Sequence, residues 1–248
     1  MKKWLPYIAG AVVVTGIILL LVFHKQQRHF DGRISLNPTH TIPYGSYVAY
    51  QLMQQQFPKA KVSINKAAPG EWKLPTKDTA DQVLFILLNY FNPTSDELNS
   101  LISFAQKGNT VFISALQMSD KAQLFFRITQ NDLYATDFLS HYGNSIDVSD
   151  SFSVRLDSSV FSKPVSFSYP GVAYNNRFLK YDSIYAYPLG YNKTIENLLA
   201  IHTLKGTIFL HAAPITFTNL FLLWNNNHLY FEKLMSLLPA TTKFVLWD

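Results

Sequence analysis

Residues 82–115 read QVLFILLNYFNPTSDELNSLISFAQKGNTVFISA, and the fold class turns on this stretch. Gln82 to Leu88 is a nearly continuous apolar run of strand length, the pattern of a strand covered on both faces. Thr94 and Glu97 stand three apart, the spacing of a capping box, in which each side chain bonds the other residue's main-chain N–H. Leu98, Leu101, Ile102 and Ala105 then form one apolar stripe at helical spacing, and Gly108 closes the helix. Thr110 to Ala115 (TVFISA) follows as a second strand. Strand, capped helix and strand make a βαβ unit, which implies parallel neighbours joined by a right-handed crossover. The expected fold class is therefore α/β.

Upstream, IPYGSYVAYQLMQQQF places Tyr47, Tyr50, Met53 and Phe57 near helical spacing, with Ser46 as the expected N-cap and Pro58 as the stop. Lys61 to Ile64 reads as a short strand. Downstream, the chain changes character: about 140–190 is rich in Ser, Tyr, Phe and Asp, with Pro164, Pro170 and Gly171 as punctuation. It is expected to be an antiparallel, β-rich insertion. Asn197–His202 and Thr207–His211 read as a hairpin turning through Lys205 and Gly206. A helix around Leu229–Leu238 and a strand at Lys243–Trp247 complete the pattern.

The first 33 residues belong to a different class. Leu5 to Phe23, LPYIAGAVVVTGIILLLVF, holds no charge. A helix of that length spans roughly 28 Å, close to the hydrocarbon thickness of a bilayer. Trp4 and Tyr7 stand where interfacial aromatics lie, and Pro6 falls in the first turn. The run is longer than the apolar core of a signal peptide, and HKQQRHFDGR after it offers no small-x-small cleavage site. The domain reading is an anchor at 1–33 with a transmembrane helix at about 5–23, a linker at 34–41, and an α/β domain at 42–248. Lys2 and Lys3 on one side nearly balance Lys25, Arg28 and Arg33 on the other, so charge does not set the orientation.

The chain has 248 residues and a net charge of +5. Residues 1–33 carry five basic groups against Asp31, so +4 of that charge sits around the apolar segment and +1 on the domain. That placement suits lipid headgroups and argues against nucleic acid, which needs a basic stripe on the folded domain. The chain contains no cysteine, which excludes disulfides, thiolate metal sites and cysteine nucleophiles.

No catalytic or cofactor motif is present. Ser114 ends a strand, but Ile113, Ala115 and Leu116 around it lack the small flanking residues of a nucleophile elbow. His228 and Glu232 stand four apart on the expected last helix, a pair without a third ligand. His211 ends an apolar strand at an edge where ligands gather in α/β sheets. No cofactor and no metal are expected.

Three stretches, IPYGSYVAYQLMQQQFP at 42–58, ELNSLISFAQKGNTVFISA at 97–115, and GTIFLHAAPITFTNLFLL at 206–223 with FVLWD at 244–248, together resemble the bacterial membrane proteins grouped as domain of unknown function 4350. The resemblance implies a flavodoxin-like, mostly parallel sheet flanked by helices, related to class I glutamine amidotransferases and held on the periplasmic side of the cytoplasmic membrane. It also implies a MoxR-type ATPase as partner and a chain that continues past Asp248. The amidotransferase cysteine has no counterpart here. The positions matching the family's motifs are Pro43, Tyr44, Gly45, Ser46, His211, Pro214 and Asn219, which either shape a cleft or fix turns; a turn is the expected role of Pro43 and Gly45. The expected function is a membrane-anchored, non-catalytic interaction or scaffold domain. The alternative is a periplasmic ligand- or glycan-binding domain or weak hydrolase with His211 at its site.

Overall fold

The computed structural model of the chain describes residues 14–16, 31–67, 71, 80–130, 151–158, 166–170, 177–192 and 194–248. The chain divides into two compact units, Met1–Asp31 and Gly32–Asp248. Of the first, 14–16 are helical; the rest of the expected span at 5–23 lies outside the described residues. Among the described residues no helix is long and apolar enough to cross a membrane.

The second unit is built on one nine-stranded sheet. In chain order the strands are β1 (Lys61–Ile64), β2 (Gln82–Phe91), β3 (Thr110–Met118), β4 (Ile128–Gln130), β5 (Ser151–Leu156), β6 (Ser166–Pro170), β7 (Phe178–Tyr181), β8 (Ala186–Asn192), β9 (Ile195–His202), β10 (Thr207–His211) and β11 (Phe244–Trp247). The sheet runs β1-β11-β2-β3-β10-β9-β8-β5-β6, while β4 and β7 pair separately. The helices are α1 (Tyr47–Gln56), α2 (Ser95–Gln106), α3 (Asp120–Phe126), α4 (Asn219–Leu222) and α5 (His228–Met235), with a 3-10 turn at Pro214–Phe217.

This corrects the expected fold class. The sheet is not a mostly parallel, flavodoxin-like one carrying an antiparallel insertion; it is a large mixed sheet with few helices. β1, β11, β2, β3 and β10 are mutually parallel, whereas β10, β9, β8, β5 and β6 pair antiparallel. The strands assigned to an insertion, β5, β6 and β8, extend the main sheet. The switch occurs at the β9–β10 hairpin, where Thr207 opposes His202. Once a tight turn replaces a crossover helix, the next strand must run the opposite way.

The βαβ unit forms as its sequence dictates. Thr94 Oγ1 accepts from the Glu97 N–H at 3.2 Å and Glu97 Oε2 accepts from the Thr94 N–H at 2.6 Å, so the capping box is complete. Leu98, Leu101, Phe104 and Ala105 are the buried side of α2. Central strands β2 and β3 are buried along most of their length, which requires cover on both faces. On one face α1, the 3-10 turn, α4 and α5 supply it, around Phe85, Phe112, Phe217 and Trp247. The Phe85 ring lies 4.5 Å from Trp247 and 5.1 Å from both Phe112 and Phe217, centroid to centroid. On the other face α2, α3 and the β4–β7 pair cover Leu84, Ile86, Val111, Ile113, Ile208 and Leu210.

Two irregularities mark the antiparallel half. Leu189 is an extra residue in β8 between the Pro188–Leu199 and Gly190–Leu198 pairs, and Asn197 is an extra residue in β9 before the Tyr191–Glu196 pair. Gly206, at the hairpin turn, has no room for a side chain: a methyl group there would collide with the main-chain carbonyls of Asn109 and Ala105.

Two substitutions test these assignments by urea unfolding of the purified chain. Thr94→Ala removes the cap and is expected to cost about 1 kcal/mol. Gly206→Ala is expected to cost about 3 kcal/mol, the upper end for an overpacked site. Equal, near-zero effects would show that neither contact contributes to stability.

Candidate functional site

The motif positions gather into two places on one face of the sheet. The first is a lock around Asn219. Its side-chain amide donates to the carbonyls of His40 at 3.0 Å and Ile42 at 2.7 Å, and its Oδ1 accepts from the Val48 N–H at 2.8 Å. Its own N–H donates to the Gly45 carbonyl, and that of Leu220 donates to the Pro43 carbonyl, both at 2.8 Å. Both amide hydrogens are thereby used. Tyr44 is buried in the core behind this turn, and its carbonyl accepts from Ser35 and Leu36. A methyl group at Gly45 would collide with the His40 carbonyl that Asn219 holds.

The sequence expectation for Ser46 is corrected here. It occupies the N-cap position of α1, but its side chain caps nothing. Ser46 Oγ donates instead to the Leu36 carbonyl at 2.7 Å, and the first-turn amide of Val48 in α1 is met by Asn219 from 171 residues away. Residues 34–41, read as a linker, are therefore bound into this domain through Leu36, Asn37 and His40.

The second place is a polar row set into the aromatic core. β10 and β3 are in register so that His211 sits beside Ser114. Ser114 Oγ lies 2.8 Å from His211 Nδ1, and Tyr230 Oη from α5 lies 3.1 Å from Nε2. A neutral imidazole donates through one nitrogen and accepts at the other, which suits one hydroxyl on each side. Phe112 and Phe217 pack against the imidazole at 5.9 and 5.5 Å. All three polar residues have 0% exposure. Burial pulls the His211 pKa down to about 3 and pushes the Tyr230 phenol well above its ordinary value.

Pro214 starts the 3-10 turn that roofs this row, and Thr218 caps α4 by accepting from the Phe221 N–H. The His-x-x-Pro-x-x-Phe-x-Asn pattern thus encodes a strand end, a roof and a lock in sequence. Tyr230 was not singled out by the sequence, because nothing local distinguishes it from the other aromatics of α5. Asp248 is a further group the sequence did not mark: it is half-buried beside β2, its N–H donates to the Phe85 carbonyl, and desolvation, aided by Glu97, raises its carboxyl pKa to about 6. Among the described residues no group of three His, Cys, Asp or Glu could hold a metal ion.

A Ser–His contact of 2.8 Å has the form of a nucleophile with its base. Its setting differs: Ser114 and His211 have no exposed surface, and burial lowers the pKa of the imidazole.

A family model described as "Domain of unknown function (DUF4350)" matches residues 38–235. No curated protein matches the chain. Among solved structures, a catalytic mutant of a GH42 beta-galactosidase from G. stearothermophilus is similar with a TM-score of 0.43 at 11% identity, covering 85% of this chain and 27% of that one. An exo-beta-1,4-mannosidase from Opitutaceae bacterium strain TAV5 is similar with a TM-score of 0.43 at 14% identity, covering 85% and 34%. The chain thus spans about a third or less of the length of these two proteins, and likeness at this level carries no argument about fold or activity.

Two expectations follow from the geometry. Asn219→Ala leaves the Val48 amide and the His40 carbonyl without the bonds Asn219 gives them, and takes from the Ile42 carbonyl one of its two donors, the other being the Gly45 N–H; it should cost about 3 kcal/mol in urea unfolding, against an expectation near zero for a surface site. The folded-state pKa of His211 is depressed below its ordinary 6.5. Its contribution is therefore complete above pH 6.5 and is lost as pH falls toward 3, by about 1.4 kcal/mol per unit. The slope of unfolding free energy between pH 6 and 4 should be shallower by about one proton in His211→Gln than in the parent chain; identical slopes would mean that the imidazole protonates in the folded state.

Proposed function

The chain belongs to the DUF4350 family, and we propose from that premise that it is a non-catalytic interaction module. It would be tethered at the bacterial cytoplasmic membrane by its apolar N-terminal segment, with the folded domain on the periplasmic side. There it would serve an envelope assembly that includes a MoxR-type ATPase. The observation that carries the non-catalytic reading is the enclosure of Ser114, His211 and Tyr230: the Ser114–His211 contact has both members at 0% exposure. Pro43, Gly45 and Asn219 spend polar groups inside the protein: Asn219 bonds His40, Ile42, Gly45 and Val48, Gly45 also bonds Ile42, and the Pro43 carbonyl accepts from Leu220. The tether is supported by nineteen uncharged residues from Leu5 to Phe23 with basic residues on either side.

Any relation to class I glutamine amidotransferases is on this reading one of scaffold, since the chain has no cysteine to act as their nucleophile. An interaction role is also consistent with the large apolar side chains left exposed beside the lock. Leu223 is 71% and Trp224 40% exposed directly after α4, and groups of this kind are common at partner surfaces.

The test has two arms. Tagged full-length protein drawn from solubilised membranes is expected to bring down a MoxR-type ATPase above a tag-only control; recovery of the tagged chain alone overturns the scaffold reading. Purified chain and Ser114→Ala are expected to show the same background toward ester and amide substrates. Turnover that depends on Ser114 overturns the non-catalytic reading.

A further inference from the structure

At the carboxyl edge of the sheet β2 and β3 outrun their neighbours. β11 pairs β2 no further than Phe85 and β10 pairs β3 no further than Ser114, yet β2 and β3 stay paired to Phe91 and Met118. This two-stranded ribbon forms one wall of a cleft of roughly 180 Å³ lined by Tyr90, Gln117, Met118, Ser119, Asp120, Gln123 and Gln130.

The cleft is held in shape by its own amides. Gln130 Oε1 accepts from the Met118 N–H at 2.9 Å and its Nε2 donates to the Leu116 carbonyl at 2.9 Å. Gln123 Nε2 donates to the Met118 carbonyl at 2.9 Å, and its Oε1 accepts from the Gln130 N–H at 2.8 Å. These bonds tie α3, β3 and β4 together. Tyr90, neighbour to Gln117 across the ribbon, stands at the rim with 54% of its surface exposed.

The lining selects a ligand class by exclusion. It has no basic residue and one carboxylate, Asp120, so a phosphate or other anion would meet repulsion without compensation. Its surface is mostly amide, hydroxyl and carboxylate, so an apolar ligand would leave buried polar groups unpaired. What remains is a neutral ligand with many hydroxyls and an apolar face for the aromatic ring. We propose that this cleft binds a neutral carbohydrate, one sugar ring lying against Tyr90 and its hydroxyls meeting the Asp120 carboxylate and the amides of Gln117 and Gln123. Hydrolysis is not part of the proposal, because glycoside cleavage needs a pair of carboxylates across the scissile bond and the lining supplies one. The site is separate from the Ser114–His211–Tyr230 row and does not depend on the tether or on the ATPase.

The test is a ligand-observed NMR titration of the full chain in a detergent without a sugar headgroup. The probes are chitotriose, cellotriose and maltotriose, with a sulfated oligosaccharide as the anionic control. At least one neutral trisaccharide is expected to show saturation transfer, with the sulfated probe silent. Tyr90→Ala should weaken that binding about tenfold and Tyr90→Phe should largely retain it, the separation expected of ring contact. Asp120→Asn should weaken it as well, while His211→Gln should leave it unchanged in protein that remains folded by circular dichroism. Saturation transfer from none of the three neutral probes, or binding indifferent to Tyr90→Ala in a folded variant, overturns the proposal.

Discussion

The constraint on which the domain depends is that its central strands, short of the projecting ends of β2 and β3, have no wet face. β2, β3 and β10 are enclosed above and below, so each must find cover on both sides, and main-chain groups at their ends must be bonded within the protein. The aromatic face solves this with short pieces: a 3-10 turn, a four-residue helix and an eight-residue helix. Pieces that short are not stable helices in isolation. Asn219, the first residue of the four-residue helix, fastens that piece to the segment from His40 to Val48, so this part of the cover and the N-terminal part of the domain are one hydrogen-bonded unit.

The polar row beneath that cover shows how burial decides the meaning of a constellation. Serine beside histidine at hydrogen-bond distance is a chemical signature only when the serine can meet a substrate and the imidazole can take a proton. Here Ser114 has no exposed surface, and burial among Phe112 and Phe217 lowers the pKa of the imidazole, so burial works against both conditions. What the row does instead is fix the position of α5 over the sheet, because Tyr230 must place its hydroxyl against one nitrogen of a ring already held by Ser114. A buried polar contact of this kind is directional where the surrounding apolar contacts are not.

How much of this was legible follows the range of each interaction. The β2–α2–β3 unit was readable because its capping box, apolar stripe and terminal glycine all lie within about thirty residues, where local rules act. The β9–β10 hairpin was readable for the same reason. The parallel or antiparallel sense of the wider sheet was not, because β5, β6 and β8 are short and alternating whether they form an insertion or extend the main sheet. Ser46 misled because a serine before a helix usually caps it; the cap came instead from Asn219, and no local pattern announces a partner 171 residues distant. His211 stood out, but its partners lie 97 and 19 residues away, so sequence could flag the residue and not its enclosure. The cleft at the carboxyl edge was invisible for a related reason: its seven lining residues come from β2, β3, α3, β4 and the residues that join them, and none belongs to a motif.

The paired bulges of β8 and β9 carry an evolutionary consequence. Leu189 displaces the pairing by one residue and Asn197 restores it, so the flanking strands keep a common alternation of inward and outward side chains. The two insertions are a matched set. Losing either alone would turn every side chain beyond it to the wrong face of the sheet, whereas losing both would leave the outer strands in step. Lineages descending from this architecture should therefore gain or lose these two residues together, and length changes in the two strands should be inherited as a couple.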